Sequence, residues 1–182
     1  MSALWHISLL GSLRVQCGEQ SITRFKSQKI GALLAYLAYP LRQAHPREAL
    51  IDLFWPESSL EAGRASLSTA LSSLRHQLEP PGTPAGLVLR ADRYSVSLNP
   101  AAVTTDVSKF EAALKAAERA EVPTDRTQLL AQAADLYRER LLPGYYEDWI
   151  TAEQERLAGL YFDAVAALRC AGRPPPIMDR RL

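Results

Sequence analysis

A chain of 182 residues with 47% hydrophobic content can bury the core of one or two ordinary globular domains. Its 21 basic and 20 acidic side chains leave a formal charge of +1, so bulk charge announces no nucleic-acid partner and local charge must decide. Two cysteines, Cys17 and Cys170, lie far apart without metal-ligand spacing. That argues against a zinc site and a disulfide framework and suits a reducing cytosol. The N-terminus lacks the pattern of a secretory signal, and no run approaches the roughly 20 apolar residues of a membrane span. The expectation is a cytoplasmic protein with no membrane partner, no cofactor and no metal.

Residues 4–25 read as three or four short antiparallel strands, punctuated by Gly11 and Gly18. A helix follows in "SQKIGALLAYLAY", with Ile30, Leu33, Leu34, Leu37 and Ala38 on one face and Pro40 as its stop. "HPREALIDLFW" reads as a short helix with Pro46 in its first turn, where the missing N–H is harmless. Ser58 and Glu61 have capping-box spacing and predict a helix running to about Glu79, where "PPGTPAG" breaks it. "LVLRADRYSVSLNP" predicts a hairpin turning around Ala91 and Asp92.

After Pro100 only helix signals remain. Val107, Phe110, Leu114 and Ala117 form one stripe. Leu130, Ala133, Ala134, Tyr137 and Leu141 form a second, with a capping-box pair at Asp125 and Gln128. Leu157, Leu160, Tyr161, Ala164 and Leu168 form a third. The predicted domains are 1–103, α+β; 104–171, all-helical; and 172–182, a proline-rich disordered tail. Because the tail cannot form a covering helix, the third stripe should fold back or stay exposed, which predicts self-association through the C-terminal helices.

"SLSTALSSLR", residues 66–75, carries a hydroxyl on five of its ten residues, a poor composition for a helix interior. Leu67, Leu71, Leu74 and Leu78 nevertheless fall at helical spacing. On a helical wheel Ala65, Thr69, Ser72, Ser73 and His76 oppose the leucines, and Arg64 and Arg75 lie at a flank. By itself this is compatible with a solvated face. The order of elements adds to it: small sheet, helix, helix, tight turn, helix, hairpin is the layout of a winged helix-turn-helix, whose second turn helix enters the major groove. Small polar side chains permit close approach there and pair with base edges or phosphates. The predicted reading helix spans about 59–79 and the wing about 87–98. Arg90 and Arg93 flank the wing tip, and Lys26 and Lys29 sit where a helix N-terminus favours phosphate.

The segments "LLGSLRV", "QKIGALLAYLA", "EALIDLFWPE", "RASLSTALSSLRHQL" and "LVLRADRYSVSL" resemble the antibiotic-regulator (SARP) family of bacterial transcriptional activators. "TDVSKFEAAL" and "AADLYRERLLPGYYEDWITAEQERLAGLYFDAV" resemble that family's bacterial transcriptional activator domain. The resemblance covers about residues 4–171. It implies a winged helix-turn-helix followed by an all-α tetratricopeptide-like domain. It also implies binding to double-stranded DNA at promoter direct repeats, dimers on DNA and recruitment of RNA polymerase. By the same resemblance, recognition-helix contacts fall on Arg64, Thr69, Ser72, Ser73, Arg75 and His76, and the wing contact on Arg93. Where family wings often carry Gly-Tyr, this chain has Arg93-Tyr94.

No phosphate-cradling glycine loop, "HExxH" or nucleophile elbow is present, and His6, His45 and His76 fall in separate elements. An enzyme is therefore not expected. The alternative is a helical-repeat protein-interaction adaptor, a truncated activator with weak or no DNA binding.

Overall fold

The computed structural model describes residues 4–39 and 41–172. They form two compact units. One comprises the described parts of Met1–Ile7 and Arg14–Thr104; the other comprises Ser8–Leu13 and the described part of Thr105–Leu182.

The first unit is α+β. Strands β1 (Trp5–Ser8), β2 (Arg14–Cys17), β3 (Gln20–Ile22) and β7 (Val103–Thr105) form a sheet in the order β3-β2-β1-β7. Alternation is the reason they are strands: Trp5, Ile7 and Val15 are buried while His6, Arg14 and Gln16 are less covered. Helix α1 (Gln28–Ala38) starts at Ser27, whose hydroxyl accepts from Ile30 N. Its Leu33, Leu34 and Leu37 are fully buried. The expected stop at Pro40 lies outside the described residues.

Helices α2 (Arg47–Phe54) and α3 (Leu60–Leu78) form the helix-turn-helix. Pro46 precedes α2 as its N-cap rather than entering the first turn, because residues His45–Pro46 pair as a short strand β4 with β6 (Ser95–Leu98). The cap of α3 is Ser59, not Ser58: its hydroxyl accepts from Ala62 N at 3.3 Å. The turn Pro56–Ser58 delays the helix by one residue, so Glu61 falls one position too early to close a capping box. Gly63 permits the crossing, since a Cβ there would run into Ile51 Cγ2 on the facing helix. The predicted leucines of α3 are all buried, joined by Ala70. Strands β5 (Leu89–Ala91) and β6 form the wing hairpin, in a three-stranded sheet of order β4-β6-β5. The layout is a winged helix-turn-helix, as expected.

The second unit is all-helical: α4 (Asp106–Arg119), α5 (Pro123–Leu136) and α6 (Asp148–Cys170). Thr105 and Ser108 form a capping box at α4 that the sequence reading missed. The capping box expected at Asp125 and Gln128 does not form: α5 starts with Pro123 at N1 and has no side-chain cap. Leu141 does not continue the α5 stripe, because that helix ends at Leu136 and Leu142 adopts φ 45. Segment 8–13 joins this unit because the buried Asp106 carboxylate accepts from Leu9 N (2.8 and 2.9 Å) and Leu10 N (2.9 Å).

The α6 stripe folds back. Leu157, Tyr161, Ala164 and Leu168 are buried, Leu160 is half-covered, and Tyr161 stacks on Tyr137 with ring centroids 4.6 Å apart. The exposed stripe on which self-association was expected is therefore not there. Gly172 closes α6 in the left-handed region (φ 75), and the tail expected to be disordered lies outside the described residues beyond it. Among the described residues no helix is long and apolar enough to cross a membrane, and no group of three or more His, Cys, Asp or Glu could hold a metal ion.

Candidate nucleic-acid interface

Burying the leucines of α3 leaves a polar arc outside. Arg64, Ala65, Ser68, Thr69, Ser72 and His76 are exposed, and Ser73 and Arg75 are half-buried at the flanks. The Thr69 hydroxyl donates to Ala65 O at 3.0 Å, so at rest its proton is taken by its own helix and its lone pairs face out. Arg64 pairs with Glu48 of α2 at 3.2 Å, both side chains being exposed. Such a pair is worth roughly 0–1 kcal/mol, so it holds the Arg64 guanidinium only weakly.

Two hollows flank the arc. One, of about 340 Å³, lies where the start of α1 meets α3, lined by Ser27, Lys29, Trp55, Ala65 and Thr69 among others. Lys29 is exposed there, its Nζ 5.6 Å from the centroid of the Trp55 ring, and Lys26, just before α1, is exposed too. Trp55 thus props a cation beside the helix instead of lying wholly in the core. The other hollow, of about 550 Å³, lies between the start of α2, α3 and the wing tip, lined by Arg47, Arg64, Ser68, Arg93 and Tyr94 among others.

The wing is held at both ends. At its base the Glu79 carboxylate, buried at the end of α3, accepts from Gly86 N (3.1 Å), Val88 N (2.8 Å) and Leu89 N (2.9 Å). Arg75 joins it: Nε lies 3.3 Å from Glu79 Oε2 and Nη2 donates to Leu89 O at 3.3 Å. At the tip the Asp92 carboxylate accepts from Tyr94 N and Ser95 N, both at 2.7 Å. The Ser95 and Tyr94 backbone bonds, followed by the Ser95 hydroxyl and the Arg47 charge, hold the Asp92 carboxyl below its ordinary pKa. That leaves Arg90 and Arg93 exposed on the wing, with the Arg93 guanidinium 4.9 Å from the Tyr94 ring centroid and Tyr94 itself exposed.

The structure therefore leaves Lys26, Lys29, Arg64, Thr69, Ser72, His76, Arg90 and Arg93 exposed, and it brings Lys29, Arg64, Thr69 and Arg93 to the two hollows that flank α3. Arg75 is the exception, because its guanidinium is engaged within the protein. Sequence reasoning missed Arg47, Ser68 and Glu79. Ser68 was legible as another hydroxyl at the arc; Arg47 and Glu79 act across 45 and 7–10 residues of chain, which no local pattern records.

No family model and no curated protein matches this chain. Among solved structures, "Mycobacterium tuberculosis EmbR in complex with low affinity phosphopeptide" matches with a TM-score of 0.74 and 24% identity, over 94% of this chain and 47% of that one. The chain thus spans about half the length of that protein. Its fold, a winged helix followed by a helical domain, is SARP-like.

Proposed function

We propose that this chain is a sequence-specific, DNA-binding transcriptional regulator of the cytoplasm and an activator rather than an enzyme. The observation that carries the reading is the outer arc of α3. It is small and hydroxyl-rich, with Lys29 at the hollow on one side and Arg93 at the hollow on the other, and with Lys26 and Arg90 also exposed on the neighbouring segments of chain. A helix so faced fits a major groove about 12 Å wide, Thr69, Ser72 and His76 meeting base edges while the cations meet phosphates. Direct-repeat sites, dimers on DNA and recruitment of RNA polymerase by the helical unit belong to the same reading.

A salt titration of binding to a mixed-sequence duplex tests it. Release of counterions gives a slope of about −0.9 per neutralised phosphate, so Lys26, Lys29, Arg64, Arg90 and Arg93 together predict a slope no steeper than about −4.5 per bound chain. Absence of duplex binding at low salt contradicts the proposal. The adaptor reading has its own observation: Tyr146 and Phe162 stand 81% and 62% exposed in the helical unit, where a protein partner would find them. On that reading alone, no salt-dependent duplex binding is seen.

A further inference from the structure

Resting on that DNA-reading assignment, we infer that Arg47 is a positioning residue, locking the wing tip to the recognition helix so that both enter DNA as one body. Arg47 opens α2 and is half-buried. Its Nη1 donates to the Asp92 carbonyl at 3.2 Å, and its Nη2 reaches within 3.5 Å of Ser68 Oγ on α3. Its main-chain N–H donates to the Tyr94 carbonyl at 2.9 Å. One residue therefore holds both sides of the tip turn and also reaches across to α3.

The wing needs such a strut. Strands β5 and β6 have three and four residues, and a hairpin that short is marginal without support. Glu79 and Arg75 secure the base, but the tip stands across an open hollow from α3. A planar guanidinium spans two acceptors in fixed directions, which a lysine ammonium on its flexible stem does not. Both ends of the fork are turned to partners within the protein, whereas Arg93, one residue past Asp92, is exposed for DNA. Ordering the tip beforehand removes that conformational cost from binding.

A double-mutant cycle on the full chain tests the assignment, with a mixed-sequence duplex at low salt as probe. Arg93→Ala is expected to weaken binding about five- to tenfold through the lost charge-assisted contact. Arg47→Met should do the same, and the double variant should be no weaker than either single one, because Arg47 acts only through the wing. Arg47→Lys should behave like Arg47→Met although it keeps the charge, and it serves in the cycle if Arg47→Met fails to fold. In the free protein, amide exchange at Tyr94 and Ser95 should quicken in both Arg47 variants and stay unchanged in Arg93→Ala. Additive losses, or full affinity in Arg47→Lys, overturn the inference and make Arg47 a phosphate contact. If the wild type binds no duplex, the DNA reading itself fails and the joint-entry role falls with it; the exchange rates then report only on the strut.

Discussion

Two buried carboxylates do work that their position in the sequence does not disclose. Glu79 satisfies three backbone N–H groups of the wing base, and Asp106 satisfies those of Leu9, Leu10 and its neighbour Val107. Removing such an acceptor leaves buried donors with nothing to bond. Glu79→Ala should therefore cost about 2–4 kcal/mol in chemical denaturation, far more than an exposed glutamate, and a loss below about 0.5 kcal/mol would contradict the assigned bonds. His45 supplies a pH test. It is buried, packs 4.8 Å from the Tyr36 ring, and its Nε2 has no hydrogen-bond partner among the described residues. Burial lowers its pKa from the ordinary 6.5. The unfolded chain therefore takes up the proton first, so stability is full above 6.5 and falls as pH drops from there through the folded-state value. His45→Gln should flatten the decline that sets in below the ordinary histidine pKa in denaturation midpoints; equal slopes in the two proteins would contradict it.

Among the elements, α3 was the most legible. Leucine spacing identified its buried face, and the surplus of hydroxyls its outer one, because both follow from a single helical period. The sequence favours Ser58 as the cap of α3, because Glu61 stands at capping-box spacing from it, but the preceding turn moves the start to Ser59. Ser59→Ala should thus cost about 1 kcal/mol and Ser58→Ala almost nothing in thermal or urea melts; the opposite ranking would return the helix start to Ser58. The end of α5 was illegible for a similar reason. Tyr137 and Leu141 keep the spacing of the stripe and are buried, but they reach the core from a non-helical segment tied to residues 9–11. Gly63 passed unnoticed because its function is set by Ile51 on the facing helix rather than by anything beside it.

At the scale of the whole molecule, the order of elements carried more than composition did. A net charge of +1 gave no hint of nucleic acid, yet folding brings Lys29, Arg64 and Arg93, from α1, α3 and the wing tip, to the two hollows beside one helix. The candidate site was readable as far as its exposed residues belong to short periodic segments. The groups that hold those segments in place were not, since their partners lie elsewhere in the chain. The central claim is that the outer face of α3 meets DNA, and one paired comparison tests it most directly. Ser72→Glu on α3 and Gln132→Glu on α5 alter exposed helical positions and change the net charge equally. Measured against the same duplex at one salt concentration, Ser72→Glu should weaken binding at least about tenfold by placing a carboxylate among phosphates and base acceptors, while Gln132→Glu leaves it unchanged. Equal affinities for the two folded variants would contradict the account.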